Sequence, residues 1–321
     1  MFEDLTLKAS WTPVAAAKPV IINAPKPHKA KKTKHEVHVI LPDPQIGYRK
    51  FGEVMDPFHD EKAMDIALQI TSWLEQHDRV DSVINLGDFL DLPAQGRFEQ
   101  EAAFAATTQD ALNRGHLFLQ QQRAAAGPEA KIVLIEGNHD RRMEKFININ
   151  AASAFGLKKA NSEGFPVMSI PYLLRLDEIG VEYIDAYPAG AHWINDRLRA
   201  IHGTKVRSNG STAAAYTNDT PHISTVFGHV HRQELQSRTV FDRQGSIKSV
   251  AISPGCLCRV DGAVPSVNGS TKVDGTPATY YENWQQGVAV ITTDATGDFF
   301  TELVQIDKGK AWFRGNEFTS K

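Results

Sequence analysis

The apolar positions of the first half of the chain follow two different periods. VHVIL (37–41), the run SVINLGD (82–88) and KIVLI (131–135) are short stretches rich in β-branched residues, bounded by polar or turn residues, and read as buried strands. Between the first two, DEKAMDIALQITSWLEQH (60–77) places Ala63, Ile66, Ala67, Ile70, Trp73 and Leu74 on one helical face. The Ala- and Gln-rich stretch 98–126 also reads as helical. Strand, helix, strand, helix, strand predicts a parallel sheet with right-handed crossovers. In such sheets ligands bind beyond the carboxyl ends of the strands.

After about residue 180 the pattern shifts to short strands separated by turn residues: VEYIDAY, AHWIN, RLRAIHG, HISTVFGHV, LQSRTVFD, SIKSVAI, GVAVITT and FFTELVQI. DRQG (242–245) and DATGD (294–298) read as hairpin turns. The second half is therefore expected to be mostly antiparallel, and the whole chain α/β. Residues 256–286, rich in Gly, Pro, Ser and Thr, read as a long inserted loop carrying Tyr280, Tyr281 and Trp284. The expected organisation is a tail over 1–35, a domain over 36–310 and a C-terminal tail over 311–321.

The ends of the predicted strands carry the chemistry. The third strand runs into IEGNHDRR (135–142), far more polar than a strand-to-helix turn requires. The first ends in PDPQ with Asp43 and Gln45, and the second in GDFLD with Asp88 and Asp91. RAIHG presents His202, and TVFGHVH presents His229 and His231. Singly each has a bland reading: Asp88 as a cap, His202 as a core histidine, His229 as a turn residue. Five polar strand ends at the edge where ligands bind make the bland reading improbable for the set. Asp43, Gln45, Asp88, Asn138, His202, His229 and His231 form an O/N donor set suited to Mn, Fe, Zn or Mg. Seven donors exceed the needs of one ion. Two ions about 3.5–4 Å apart, bridged by a carboxylate, would use them all. Asp88 is the natural bridge, since Gly87 lets the backbone approach closely.

In this order D-x-Q, G-D-x-x-D, G-N-H-D, a lone H-G and G-H-x-H resemble the motifs of the calcineurin-like metallophosphoesterases, over roughly residues 37–255. SPG (253–255) looks like the Pro-Gly turn that often follows the last motif. The resemblance implies a four-layer αββα sandwich of two mixed sheets flanked by helices, with two divalent ions at one edge, manganese first among them. It gives His139 the role of a histidine outside the metal shell, aimed at the phosphate and its leaving oxygen, and Asp91 that of the acid orienting it. Asp140 is expected to be a cap or structural partner. The implied reaction is in-line attack on phosphorus by a hydroxide between the metals, with no covalent intermediate. Two departures stand out. Gln45 replaces the commoner His, as in branches acting on nucleotide diphosphate compounds. Leu92 follows G-D-x-x-D where the protein Ser/Thr phosphatases have a phosphate-clamping Arg. Arg141 and Arg142 are candidate replacements, although surface arginines are at least as common at a helix start.

Composition adds limits. The 321 residues are 41% hydrophobic and 23% charged, ordinary for a globular protein, and no apolar run is long enough to span a membrane. The N-terminus opens with acids and does not read as a signal peptide. Cys256 and Cys258, the two cysteines, are too close for an easy disulfide and too few for a structural zinc site alone. A reducing, cytoplasmic compartment is expected. The net charge of −3 divides unevenly: residues 1–34 carry seven lysines against Glu3 and Asp4, so the tail is basic and the remainder acidic. Such a tail can tether a protein to DNA or RNA phosphates, or simply solubilise it. Three functions follow: a phosphodiesterase acting on nucleic acid or nucleotides, a small-molecule phosphohydrolase, and a non-catalytic scaffold.

Overall fold

The computed structural model describes residues 34–96, 100–243, 245–266 and 282–320. The chain opens with strand β1 (His35–Leu41), then a small ribbon of β2 (Tyr48–Phe51) and β3 (Val54–Pro57). Helix α1 (Glu61–His77) follows, started by Asp60, whose carboxylate accepts from the Lys62 and Ala63 amides at 2.9 and 3.1 Å. Next come β4 (Ser82–Asn85), α2 (Thr108–Ala126), β5 (Lys131–Ile135), the helices α3 (Arg142–Asn150), α4 (Ile170–Leu173) and α5 (Leu176–Ile179), and β6 (Val181–Ile184). The rest comprises β7 (Ala191–Asn195), β8 (Leu198–Ile201), α6 (Thr212–Asp219), β9 (Ser224–Phe227), β10 (Gln233–Asp242) and β11 (Gly245–Pro254). It ends with β12 (Gln286–Asp294), β13 (Phe299–Asp307), β14 (Lys310–Phe313) and β15 (Asn316–Thr319).

The strands form two mixed sheets. The larger has the order β15-β14-β13-β12-β1-β4-β5-β6, parallel from β1 to β6 and antiparallel from β1 outward to β15. The smaller has the order β10-β11-β9-β8-β7, with β8, β9 and β11 mutually parallel. Alternation sends successive side chains of β1, β4 and β5 to opposite faces. Val39, Val83 and Ile132 pack with the apolar stripe of α1 and with α2. Ile40, Ile84 and Val133 pack with Leu198, Val226 and Ile252 of the smaller sheet. Both faces are covered, which explains the unbroken apolar runs in the sequence. On the far side α6 packs Ala213 and Tyr216 against Phe227 and Ala251.

Several expectations need correcting. The second half does not make one antiparallel sheet: β12–β15 join the larger sheet, and the smaller sheet has a parallel centre. Residues 311–320, expected as part of a C-terminal tail, belong to the sheet. β14 and β15 pair with each other and extend the larger sheet, and Ala311, Phe313 and Phe318 are buried against α1 and its neighbours. Among the described residues of 98–126, the α-helix begins at Thr108 and is preceded by a 3₁₀ turn at 102–104. The first residues of the expected loop 256–286 belong to the interior, where Cys256, Leu257 and Cys258 are fully buried. Tyr280, Tyr281 and tail residues 1–33 lie outside the described residues. Among the described residues no helix is long and apolar enough to cross a membrane.

One buried imidazole makes stability depend on pH. His38 lies in β1 between the Ser82 and Thr293 hydroxyls, at 2.8 and 3.2 Å. Burial, reinforced by the charge of His192, lowers it from 6.5 to about 4. The unfolded chain therefore binds more protons between those values. The contribution is present above the unfolded value and is lost as pH falls through the folded one. At about 1.4 kcal/mol per pH unit this amounts to about 3 kcal/mol. Urea unfolding at about pH 7 and pH 4 should show wild type losing that much more than His38→Gln. Equal losses would mean that another group titrates.

Candidate metal centre

The five strand ends named in the sequence converge. β1, β4 and β5 of the larger sheet and β8 and β9 of the smaller one all deliver their carboxyl ends to one edge. Backbone hydrogen bonds join the loops there: Gln45 N–H to Asp88 O and Ile46 N–H to Phe89 O, both 2.9 Å, and Asp91 N–H to Ile46 O at 3.0 Å. Asp140 ties the third loop to the second. Its carboxylate accepts from the amides of Gly137 (2.9 Å), Leu90 (2.9 Å) and Phe89 (3.2 Å), which makes it the expected structural partner. Two glycines make room for carboxylates. A Cβ on Gly137 would lie 2.3 Å from Asp88 Oδ1, and one on Gly228 would lie 2.5 Å from Asp43 Oδ2.

Ligand atoms of Asp88, His202 and His229 lie within 4.8 Å of one another, and so do those of Asp43, Asp88 and His231. Asp88 belongs to both trios, the position of a bridging carboxylate. Asn138 Oδ1 lies 3.0 Å from His202 Nε2, and Gln45 Nε2 lies 3.1 Å from His231 Nε2. All seven candidate ligands thus surround one edge. Asp43 Oδ2 and Gln45 Oε1 are buried with no hydrogen-bond partner. Unpartnered buried oxygens beside these trios are what a cation would satisfy. Five of the seven residues have left-handed backbones: Asp43 (φ 38°), Gln45 (46°), Asp88 (45°), His229 (71°) and His231 (54°). Asp and His visit this region more readily than most residues, but Gln45 does not. Backbone strain of on the order of 1 kcal/mol or more per residue persists where surroundings impose it, typically at functional sites.

The electrostatics suit cation binding. Burial opposes ionisation of Asp88, yet the neighbouring His139 and His202 hold its carboxyl well below the ordinary range. Burial pulls His202 down, but Asp88 and Asp43 outweigh it and raise the imidazole to about 9, so a metal ion binding there must displace its proton. His202 Nδ1 donates to Leu86 O at 2.8 Å, so Nε2 faces Asp88 Oδ1 at 3.3 Å. Backbone anchoring of one ring nitrogen is the usual way to orient a metal-ligating imidazole. His229 is lowered to about 4, by burial and then by the His202 charge, and so offers a lone pair near neutral pH.

His139 stands beside the trios. Its backbone N–H donates to Asp88 Oδ1 at 2.8 Å, and its ring Nδ1 meets Asp91 Oδ1 at 2.5 Å. Nε2 accepts from Arg142 Nη2 at 3.0 Å, which assigns the Nδ1 proton to the Asp91 contact. Burial opposes ionisation of Asp91, but His139 and Arg142 hold it below the ordinary carboxylate value. The two arginines of the motif behave differently. Arg141 turns away and donates to Tyr187 O, whereas Arg142 is buried and also donates to Asp91 O. Leu92, at the position of the phosphatases' clamping arginine, is buried. A cleft of about 660 Å³ opens over Asn138, His139 and His229, walled by Arg142, Lys145, Phe146, Ile149 and Tyr187.

Sequence reasoning left Arg142 undecided and missed Lys145 and Phe146. Only their spacing of three and four residues along one helix pointed to a shared face. No protein-family model matches the chain, and no curated protein matches its sequence.

Proposed function

We propose that the protein is a dimetal phosphoesterase of the calcineurin-like kind, with the four-layer αββα architecture of that family, and that it hydrolyses phosphodiesters of nucleic acids or nucleotides. One observation carries the reading: two ligand trios share Asp88 and lie against an Asp91–His139–Arg142 chain on the wall of an open cleft. A scaffold has no use for a buried imidazole oriented by a carboxylate beside unpartnered metal-type donors.

Asp43, Gln45, Asp88 and His231 would hold one ion, and Asp88, Asn138, His202 and His229 the other. When bound, the ions would supply an acidified water as nucleophile and offset the phosphate charge. The chain does the rest. Asp91 keeps the His139 ring in one orientation, with Nε2 toward the cleft side of Asp88. A phosphate entering the cleft meets the positive charge of Arg142, whose guanidinium also holds Asp91 and His139. Once a phosphate draws the Arg142 N–H away from His139 Nε2, that nitrogen is free to carry a proton to the departing alkoxide. Lys145 stands one turn further along α3 for a second phosphate, and Phe146 and Ile149 offer apolar surface to an organic group. The cleft volume lies within the range of small-molecule sites. That favours, as a second reading, a nucleotide-sized substrate over a long polymer.

The test is hydrolysis of bis-p-nitrophenyl phosphate and p-nitrophenyl phosphate in Mn, Mg or EDTA. Diester cleavage that requires metal and stops in EDTA is expected. Monoester cleavage alone would move the assignment to a phosphatase, and metal-independent cleavage would overturn the dimetal reading. DNA affinity that falls steeply with salt, and less steeply once residues 1–34 are deleted, would support a role for the basic tail; a flat slope, or no effect of the deletion, would remove it.

A further inference from the structure

We propose that Cys256, Cys258 and His231 form a second metal site, selective for thiophilic ions, that adjoins the candidate centre through the shared His231 imidazole. Both Sγ atoms and a ring nitrogen of His231 lie within 4.8 Å of one another, and all three residues are buried. The thiols are free. In this C-x-C stretch Leu257 faces the main core, while the flanking cysteines share a small apolar cluster with Phe58, Phe104 and Val264. That is the alternation of extended chain, and it brings two sulfurs to one side. His231 Nδ1 is 3.9 Å from Cys258 Sγ, and its Nε2 is 3.5 Å from Asp43 Oδ1. Trp284 packs edge-on against the ring at 4.2 Å between centroids and fixes this two-sided orientation. The Gln285 carbonyl oxygen, 3.6 Å from Cys256 Sγ, offers a fourth donor.

Two sulfurs, one imidazole nitrogen and a carbonyl suit a tetrahedral Zn²⁺ or Cd²⁺ ion, and hard Mn²⁺ or Mg²⁺ poorly. On binding, each thiol exchanges its S–H bond for an S–metal bond and releases a proton to solvent. Two thiolates then neutralise the divalent ion, the condition an apolar surround tolerates. An ion on Nδ1 needs that nitrogen's lone pair, so the ring proton moves to Nε2, which then has no lone pair to offer the neighbouring site. A thiophilic ion should therefore inhibit a Mn-loaded enzyme; this consequence, unlike the site itself, rests on the proposed function.

The test is titration of the full-length chain with Cd²⁺ in excess Mn²⁺, following the ultraviolet charge-transfer band of Cd–thiolate bonds together with diester hydrolysis. One equivalent should saturate the band, and Cys256→Ser and Cys258→Ser should each weaken Cd²⁺ binding by about ten-fold or more. Hydrolysis should fall in wild type and persist in Cys258→Ser. No band in wild type, or bands of undiminished strength in both serine variants, would overturn the site. A band without loss of hydrolysis would overturn the coupling through His231. If the chain hydrolyses nothing in Mn²⁺, the functional reading fails, while the band still decides the site.

Discussion

His139→Ala is expected to slow cleavage of an alkyl phosphodiester by about 10²–10⁴ while leaving the bound metal unchanged. The imidazole contributes no ligand to either trio. Its ring contacts are Asp91 at 2.5 Å and Arg142 at 3.0 Å, and its nearest approach to the shared carboxylate is 3.7 Å, to Asp88 Oδ2. The backbone N–H that donates to Asp88 survives the substitution. The loss should also depend on the leaving group. An alkoxide needs a proton as it departs, whereas p-nitrophenolate does not, so bis-p-nitrophenyl phosphate should suffer less. Metal content by elemental analysis and kcat on both substrates would separate the roles. Equal losses on the two esters would assign His139 to charge stabilisation. Unchanged rates on both would remove it from the chemistry.

Asp88→Asn is expected to empty the centre and abolish metal-dependent hydrolysis. Asp88 is the residue common to both trios, so its charge would act on ions bound at either one. Two unit charges about 4 Å apart attract by roughly 4 kcal/mol at an effective dielectric of about 20, which is about a thousand-fold in affinity. A carboxylate in direct contact with divalent ions should lose at least that. The amide is nearly isosteric and keeps an oxygen for the His139 N–H, so the loops should hold. Metal content should fall in the purified variant, and high Mn²⁺ should restore activity only in part. Retention of both ions at wild-type affinity would mean that Asp88 does not bridge.

Strands β1, β4, β5 and β6–β13, α1, the parallel order of the first half and the polar residues at the strand ends were legible in the sequence, because each depends on local features. β-branched runs, helical spacing and polar residues at strand ends all lie within a few positions of one another. Reach across the chain was not legible. Whether 311–321 hangs free or pairs depends on where β13 leaves the chain. The apolar Ala311, Phe313 and Phe318 gained a meaning only when α1 lay beneath them. Arg141 and Arg142 are chemically identical neighbours, and about 100° of helical turn sends one to Tyr187 and the other to Asp91 and His139.

The cysteine pair shows the same division. Sequence spacing argued against a disulfide and against a zinc site made by two thiols alone, and the thiols are indeed unpaired. It could not show that β9 and the Cys256–Cys258 segment place His231 against them. The left-handed conformations at Asp43, Gln45, Asp88, His229 and His231 were equally out of reach, since nothing in their residue types demands them. By itself, then, the sequence determined which donors stand at which strand ends. The tertiary structure alone decided their meeting, because loops hydrogen-bonded across two sheets hold backbones that no isolated segment would adopt.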